Sequence, residues 1–475
     1  MNNYQEFLNS KATKIIDYGK PIEHKSIHPK LFDWQKDIVT WAVKKGRCAV
    51  FLDTGLGKTF IQLEWARLLN ERTLIIAPLS VARQTEREAK KIDLDIKYVR
   101  NQCEITSDKN IWITNYEMAE HFDYSKFGAI VLDESSILKS IGCKTRKLLT
   151  ELCISVKYKL CCTATPAPND YIELGNHTEF LGICSMNEML CTFFINANKE
   201  HTLEYGCKLY RKKGSNKNGT EWRLKHHAEQ PFFKWLSSWA IAMVKPSDLG
   251  YEDDGYILPS LHIKPVFIHT EYKPADQLFF TELHGISNRV EVRRDTLTDK
   301  LSKLKDIITT DDGQWIVWCG LDVESTQAAK LLGDEAVEVT GSDTLDYKVQ
   351  SIEDFQDGKC RIIVVKPKIA GFGMNFQNAN NMVFIGINDS WETFYQCIRR
   401  EWRYGQTQPV NVYILMHDAE EEIYANIQRK DAMAKRLREK LIEHIRDYEK
   451  GELRMTTHMQ VEYKPIKDMI IPKWY

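Results

Sequence analysis

The stretch "AVFLDTGLGKTFIQLEWA", Ala49 to Ala66, changes from an apolar run to a glycine-rich turn and then to an amphipathic helical pattern. A strand that continues through such a turn into a helix directs backbone N–H groups and the positive end of the helix dipole toward one point, which suits a phosphate chain. Lys58 is expected to reach the terminal phosphates and the Thr59 hydroxyl to bind Mg²⁺. Because Leu52 replaces the first glycine of the Walker A pattern, an ordinary turn with a surface lysine stays open from this stretch alone.

Composition and charge exclude several classes of protein. The 475 residues exceed one ordinary hydrophobic core, so two domains with additional segments are expected. No apolar run approaches the ~18 residues of a membrane span, and the stretch MNNYQEFLNSKATK lacks a signal-peptide pattern, so we expect a cytoplasmic protein. The twelve cysteines include no C-x-x-C pair, which favours reduced thiols. Because the net charge is -1, any nucleic acid would be held by a local basic groove.

Short apolar runs alternate with helical patterns in two separate parts of the chain. The first part carries CAVFL, TLIIAP, IWIT, GAIVLDE and KLCCTATP, and the second carries QWIVWCG, AVEVTG, CRIIVVKP, NMVFIG and VNVYIL. Runs of this length between helices are typical of parallel strands that are buried on both faces. The sequence therefore predicts an α/β fold with two parallel sheets, separated by a region rich in aromatic and basic residues.

Polar side chains follow two runs of the first part, at the strand ends where α/β sheets bind ligands. Asp133 and Glu134 come directly after AIVL. Asp133 is placed to hold Mg²⁺ through water and Glu134 to orient an attacking water, and a solvated acidic pair is the alternative. Thr163 and Thr165 follow the next run. Their hydroxyls could connect the acidic pair to a segment that moves during turnover, or they could simply end a strand before Pro166.

The stretch QCIRREWRYGQ in the second part places Arg400 and Arg403 three residues apart. On a helix this spacing puts both side chains on the same side. Arginines that reach a γ-phosphate across a cleft stabilise the transition state by about 10³ to 10⁵ in rate. A solvated, arginine-rich helix face is the alternative.

Taken in order, these motifs resemble superfamily 2 helicases, specifically the Swi/Snf-type DNA translocases and in particular the compact versions encoded by phages and prophages. The resemblance extends from Leu31 to Leu415. It implies two RecA-like parallel-sheet lobes with ATP and Mg²⁺ between them, a helical or hairpin insertion and a C-terminal helical brace. The expected limits are 1–175 for the first lobe, 176–265 for the insertion, 266–425 for the second lobe and 426–475 for the helical extension.

The resemblance also assigns nucleotide-binding residues. Gln35 falls on the family's adenine-recognition segment, and DTGLGKT stands for DMGLGKT, which explains the missing Walker glycine. AGFGMNFQNAN resembles a glycine-containing motif of the second lobe. The implied nucleotide-binding set is Gln35, Thr54, Gly55, Leu56, Gly57, Lys58, Thr59, Gly373 and Asn375.

Other motifs resemble the family's DNA-contacting and coupling segments. The implied nucleic-acid contacts are Pro78, Ser80, Arg83, Thr114, Tyr116, Thr165, Gly341 and Ser342, and the implied coupling residues are Thr163, Thr165 and Gln396. In DESSILKS, Ser136 replaces the histidine that helps to couple hydrolysis to DNA in the family. The coupling route is therefore left open.

The resemblance implies an ATP-dependent DNA translocase or helicase, a DNA-stimulated ATPase that acts on duplex or branched DNA in phage or prophage replication or recombination. We expect a monomer in the bacterial host cytoplasm, with a replication or nuclease protein as a further partner. A nucleotide-switched DNA-binding module that recruits such a partner, or an RNA helicase, is the alternative. The hairpin candidate at residues 208–227 is expected to contact DNA, to separate strands or to be a solvated loop. The charged helical pattern after Ala419 is expected to brace the second lobe.

Overall fold

The computed structural model describes residues 17–139, 144–196, 222–269, 294, 296–370, 374–388, 390–417 and 420–453. Two parallel sheets with helices on their faces make up most of these residues. We call the part built on the first sheet the first lobe and the part built on the second sheet the second lobe. The α/β prediction with two parallel sheets is confirmed.

The first sheet has seven strands in the order β3-β4-β2-β5-β6-β1-β9, and every neighbouring pair is parallel. Its strands are β1 Arg47–Leu52, β2 Thr73–Ala77, β3 Lys97–Tyr98, β4 Ile111–Asn115, β5 Ala129–Asp133, β6 Tyr158–Cys162 and β9 Ala240–Met243. The helices of this lobe are α1 Asp33–Lys45, α2 Lys58–Leu69, α3 Leu79–Lys91, α4 Lys144–Leu152, α5 Leu174–Leu181, α6 Met186–Phe193 and α7 Glu229–Ser237.

The second sheet has six strands in the order β10-β15-β14-β11-β13-β12, again with parallel neighbours. Its strands are β10 Leu261–Ile268, β11 Trp315–Trp318, β12 Ala336–Val339, β13 Ile362–Val365, β14 Asn381–Phe384 and β15 Val410–His417. The helices that follow are α8 Leu297–Ile308, α9 Asp322–Leu332, α10 Leu345–Gln356, α11 Pro367–Ala370, α12 Trp391–Glu401 and α13 Glu421–Leu453.

Each sheet separates two apolar clusters, one on either face. All residues of β2, β4, β5 and β6 are buried, as are those of β11, β13 and β14. Burial on both faces is why these strands have continuous apolar sequences. All ten apolar runs that predicted strands contain strands of the two sheets.

The region between the lobes supplies more of the sheets than its sequence indicates. β9 lies within residues 176–265 but pairs with β1 and completes the first sheet, and β10 begins the second. The predicted domain limits stay a prediction. Residues 208–221 of the hairpin candidate lie outside the described residues. Its last part contains β8, Trp222–Leu224, which pairs antiparallel with β7, Phe194–Asn196.

The C-terminal helix α13 contacts both lobes, whereas the sequence predicts a brace for the second lobe alone. Lys440 forms an ion pair with Glu229 of α7 in the first lobe. On the other side, Asp431 Oδ1 accepts a hydrogen bond from Trp391 Nε1 of α12 at 3.0 Å. The helix therefore connects the two lobes.

Candidate nucleotide site

The turn between β1 and α2 encloses the ammonium group of Lys58. Gly55 and Gly57 have φ angles of 93° and 67°, in the left-handed region that glycine adopts without strain. Lys58 Nζ donates to Leu52 O at 3.0 Å and to Asp53 O at 3.4 Å. Both acceptors are neutral carbonyls, so an anionic phosphate would be a stronger partner for this ammonium group.

Asp133 and Glu134 lie at the carboxyl end of β5. Asp133 Oδ1 accepts hydrogen bonds from Gln62 Nε2 at 2.7 Å and from Glu134 N at 3.1 Å, and burial raises the pKa of Asp133. Glu134 has a φ of 51°, which is uncommon outside glycine, and its buried Oε2 has no hydrogen-bond partner among the described residues. Burial raises the pKa of Glu134 to about 7, although the charge of Lys58 opposes this shift. A carboxylate with a pKa near neutrality is suited to accept a proton from water.

Arg400 and Arg403 extend from the end of α12 in the second lobe. Arg400 Nη2 donates to Gln396 Oε1 at 2.7 Å, and its Nη1 donates to Met374 O at 2.9 Å. Arg403 Nη1 donates to the same carbonyl at 3.3 Å, and its buried Nε has no hydrogen-bond partner among the described residues. Burial and the neighbouring Arg400 lower the pKa of Arg403 to about 10, so it remains protonated at neutral pH. Both guanidinium groups can therefore hold an additional anion.

A cavity of about 520 Å³ lies between the two lobes and is lined by residues of both. This volume falls within the range of pockets that bind small molecules. The cavity brings together the sequence-predicted residues Gln35, Thr54, Gly55, Gly57, Lys58, Thr59, Asp133, Glu134, Asn375, Arg400 and Arg403. Leu56 is buried in the core of the first lobe, and Gly373 lies outside the described residues.

Aromatic side chains line one end of the cavity. The rings of Tyr256 and Tyr404 lie 4.6 Å apart with an angle of 32° between their planes. Beside them, Gln35 Oε1 accepts a hydrogen bond from Phe32 N at 3.0 Å, and Gln35 Nε2 donates to Leu56 O at 3.3 Å. Gln35 thus connects the start of α1 to the glycine-rich turn. Aromatic rings with an amide beside them are suited to a purine base.

The donor set fits a magnesium ion that is bound together with phosphate. Thr59 and Asp133 both line the cavity and offer oxygen ligands, which Mg²⁺ prefers. Within the described residues, no group of three or more His, Cys, Asp or Glu side chains could hold a metal ion. The protein would therefore supply a minority of the ligands, as is usual where Mg²⁺ binds substrate phosphates.

A buried cluster joins the start of the glycine-rich turn to the second lobe. We call Asp53, Tyr395, Arg399 and Arg438 the Asp53 cluster. Tyr395 OH donates to Asp53 Oδ1 at 2.6 Å, and Arg399 Nη2 lies 3.0 Å from Asp53 Oδ2. Arg438 Nη1 of α13 lies 3.7 Å from the same oxygen. Burial acts to raise the pKa of Asp53, but Arg399 and Arg438 hold it below its ordinary value, so the carboxylate is ionised.

The predicted coupling residues lie between the two lobes. Thr163 Oγ1 accepts a hydrogen bond from Thr165 N at 3.1 Å, and Thr165 Oγ1 donates to Glu392 Oε1 of α12 at 3.1 Å. Gln396, one turn further along α12, accepts from Arg400. Their coupling role stays a prediction. The contacts connect the segment after β6 of the first lobe with the arginine-bearing helix.

The predicted nucleic-acid contacts are dispersed over both lobes. Thr114 and Tyr116 are buried, and Tyr116 OH donates to Asp133 O at 2.6 Å. Gly341 and Ser342 are exposed at the end of β12, and Ser342 Oγ lies 3.0 Å from Thr340 Oγ1. The remaining predicted contacts are Pro78, which precedes α3, Ser80 and Arg83 within α3, and Thr165 described above. Their contact with nucleic acid stays a prediction.

Sequence reasoning missed several residues that shape this site. Arg399 is adjacent to Arg400, but one helix turn does not reveal which arginine faces the cavity and which faces Asp53. Glu392 and Tyr395 lie on α12, which is buried although many of its residues are charged or aromatic. Such residues need partners, which the sequence alone does not identify. Tyr256 and Arg438 lie far from the recognised motifs, and only the tertiary structure brings them to the site.

Comparison with protein families places two known domains on the chain. Residues 30–226 match the SNF2-related domain, and residues 299–405 match the helicase conserved C-terminal domain. The first range contains the glycine-rich turn and the acidic pair, and the second contains both arginines. The two domains therefore correspond to the two lobes that line the cavity.

Two individual relatives match very different shares of this chain. The SWI/SNF-related matrix-associated actin-dependent regulator of chromatin subfamily A-like protein 1 of Drosophila melanogaster is 23% identical over 458 residues, which cover 88% of this chain and 59% of that protein. The ATP-dependent DNA helicase DDM1 of Arabidopsis thaliana is 33% identical over 85 residues, 18% of this chain and 11% of that protein. The chain thus spans about three-fifths of the first of these relatives and a much smaller share of the second.

A solved structure, the Sulfolobus solfataricus SWI2/SNF2 ATPase core in complex with dsDNA, is similar over 91% of this chain and 99% of that chain, with 19% identity and a TM-score of 0.41.

None of the helices within the described ranges combines the length and apolar character that crossing a membrane requires. The chain carries an SNF2-related domain followed by a helicase conserved C-terminal domain, the two domains of an ATP-hydrolysing helicase or translocase.

Proposed function

We propose that the chain is an ATP-driven translocase that moves along duplex or branched DNA, in phage or prophage replication or recombination in the host cytoplasm. One observation carries the proposal: Lys58 and Glu134 of the first lobe line the same cavity as Arg400 and Arg403 of the second. Groups that bind phosphate, orient water and stabilise transition-state charge are thus divided between two lobes. Hydrolysis then depends on how the lobes are placed relative to each other.

Hydrolysis follows from the chemistry of these side chains. When nucleotide binds, Lys58 replaces its hydrogen bonds to two carbonyl oxygens with contacts to the terminal phosphates. Gln35 and the aromatic end of the cavity hold the base. Mg²⁺, held by Thr59 and Asp133, would neutralise phosphate charge. Glu134 orients a water molecule and accepts its proton as the water oxygen bonds to the γ-phosphorus and the bond to the ADP oxygen breaks. Arg400 and Arg403 stabilise the charge that spreads over the transferred phosphoryl group.

Movement follows because the lobes close when ATP is bound and separate after phosphate is released. DNA that is bound across both lobes would be released by one lobe and retained by the other in each cycle. Contacts through phosphate oxygens carry no sequence information, so the proposed DNA binding is independent of base identity. Its affinity should fall by about 0.9 log unit per log unit of salt for each phosphate that is neutralised.

One relative supports DNA as the substrate class, since DDM1 of Arabidopsis thaliana is an ATP-dependent DNA helicase. We further propose that the chain acts as a monomer and is recruited by a replication or nuclease protein. Size-exclusion chromatography with light scattering measures the first of these properties directly.

The test measures ATP hydrolysis without nucleic acid and with duplex DNA, forked DNA or RNA. Duplex or forked DNA should raise kcat at least tenfold, and Glu134→Gln should abolish hydrolysis while the exposed control Glu120→Gln behaves as wild type. Displacement of a third strand from a triplex should then report movement along the duplex. Hydrolysis that is unaffected by DNA would indicate a nucleotide-switched binding module, and stimulation by RNA alone would indicate an RNA helicase.

A further inference from the structure

Glu392 is a buried carboxylate of the second lobe whose hydrogen-bond donors both belong to the first lobe. Its side chain is 8% exposed, in the first turn of α12, where the helix dipole favours a negative charge. Oε1 accepts from Thr165 Oγ1 at 3.1 Å, and Oε2 pairs with Lys139. A carboxylate that is removed from water in this way is stable only while its partners stay in place.

The two donors follow the two central strands of the nucleotide site. Lys139 ends the 3₁₀ turn Ser135–Lys139, which begins directly after Glu134 at the end of β5. Thr165 follows β6, the strand that pairs with β5 in a register that places Cys162 opposite Asp133. Any shift of the Glu134 segment or of the β6 end relative to α12 therefore changes the contacts of Glu392.

One face of α12 connects Glu392, and thus its contacts with the first lobe, to the cavity. Glu392, Gln396 and Arg400 are spaced by four residues, so their side chains lie along one side of the helix. Gln396 Oε1 accepts from Arg400 Nη2 at 2.7 Å, and Gln396 O accepts from Arg400 Nε at 2.9 Å. Because a helix of this length moves as one body, the position of Glu392 fixes the depth at which Arg400 enters the cavity.

We infer that Glu392 is a positioning residue that couples the first-lobe segments after Glu134 and β6 to the placement of Arg400, and that it links DNA engagement to hydrolysis. This inference rests on the proposed function of the site. Ser136 does not offer the same connection, since its Oγ donates at 3.5 Å to Glu134 O within its own segment. Glu392 thus provides a route between the lobes where the sequence left the coupling route open.

The experiment compares Glu392→Ala and Glu392→Gln with a matched control. Glu353→Gln removes the negative partner of another ion pair between the lobes, Arg87 with Glu353 at 3.4 Å, but both side chains of that pair are exposed. An exposed pair contributes little to stability, so Glu353→Gln should behave as wild type. The isosteric Glu392→Gln keeps an acceptor for Thr165 and serves if Glu392→Ala does not fold.

Three quantities are measured: KM for ATP, the ratio of kcat with and without duplex DNA, and ATP consumed per base pair moved in triplex displacement. Glu392→Ala should keep KM within threefold, reduce the DNA stimulation at least tenfold and raise ATP consumed per base pair. Glu392→Gln should lie between Glu392→Ala and wild type. The exchanged pair Lys139→Glu with Glu392→Lys should restore part of the stimulation that Glu392→Lys alone removes. A purely structural role would instead change KM and the DNA-free kcat together with the stimulation.

The outcomes separate this inference from the proposed function. A wild-type protein without DNA stimulation would overturn the proposed function and the inference with it. A DNA-stimulated wild type together with a Glu392→Ala variant of equal stimulation and equal ATP consumption would overturn the inference alone.

Discussion

Arg399 Nη2 lies 3.0 Å from Asp53 Oδ2 across the cleft between the lobes, and the two side chains are 4% and 6% exposed. Asp53 directly precedes the turn that encloses Lys58, and Arg399 Nη2 also donates to Thr54 O at 2.8 Å. The second lobe therefore holds the entrance of the phosphate-binding turn through both a side chain and a backbone carbonyl. Since α13 adds Arg438 to the same carboxylate, three parts of the chain meet at Asp53.

Replacing Arg399 with alanine should weaken the association of the lobes. The change leaves Asp53 buried with Arg438 as its remaining cation, and breaking a buried pair from one side costs about 3 to 5 kcal/mol. We expect a larger radius of gyration in small-angle scattering and a lower melting temperature, whereas the exposed-pair control Glu353→Gln should change neither. In the double variant Asp53→Asn with Arg399→Gln the loss should be smaller than the sum of the single losses. Wild-type scattering and melting of Arg399→Ala would contradict a role in holding the lobes together.

Replacing Arg403 with alanine should reduce kcat and leave nucleotide affinity nearly unchanged. Its buried Nε has no hydrogen-bond partner among the described residues, and its guanidinium lines the cavity beside Arg400. If it stabilises charge that develops only in the transition state, its loss lowers kcat by about 10³ or more. Nucleotide Kd, measured by fluorescence titration, should change less than fivefold, and the exposed control Arg429→Ala should behave as wild type. Lost affinity with an undiminished kcat would exclude the transition-state role.

Ten of the thirteen strands described in the two sheets could be predicted from sequence, most of them because burial on both faces leaves continuous apolar runs. The two-residue β3 left no such run. β10 could not be predicted, since it is an edge strand whose residues are partly or fully exposed and which contains Pro265. β9 has four residues, Ala240–Met243, in a region whose sequence is otherwise helical in pattern. A strand this short, with no turn signal beside it, is identified by its pairing with a neighbouring strand and not by its own sequence.

The site could be predicted where local sequence determines local geometry. The glycines around Lys58 and the acidic pair after β5 are of this kind, because a turn and a strand end place their own side chains. The partners of Asp53 and Glu392 are of the other kind. They lie more than 200 residues away in sequence and are brought together only when the second lobe packs on the first.

Replacing Gly57 with alanine should impair nucleotide recognition more than stability. Gly57 has a φ of 67°, and a Cβ there would lie 2.5 Å from Gln35 Nε2, so the amide beside the aromatic end of the cavity must move. Gly358→Ala is the matched control, since Gly358 has a φ of 77° and nothing within 4 Å of a Cβ. Both variants should lose about 1 kcal/mol or more of stability from the left-handed backbone. Only Gly57→Ala should raise KM for ATP at least tenfold and reduce the preference for ATP over GTP; equal kinetics in the two variants would show that Gln35 does not contribute to recognition.

The pH dependence of hydrolysis tests the role of Glu134. Burial raises its pKa from the ordinary 4.5 to about 7, so the carboxylate that orients water forms only as the pH rises through 7. Because kcat/KM reports the free enzyme, it should rise about tenfold per pH unit below 7 and level off above it. Arg403, with a pKa of about 10, stays charged across this range and cannot produce the rise.

The profile is measured from pH 5.5 to 8.5 with Mg²⁺ in excess, so that the nucleotide itself stays ionised, and Glu120→Gln should reproduce it. The sign for stability is opposite to that for activity. Between pH 4.5 and 7 folded Glu134 retains a proton that the unfolded chain has released, so its contribution to the free energy of unfolding falls as the pH rises through this range. A kcat/KM that is flat between pH 6 and 8 would contradict a proton acceptor that titrates in this range, and with it the proposed link between the raised pKa of Glu134 and activity.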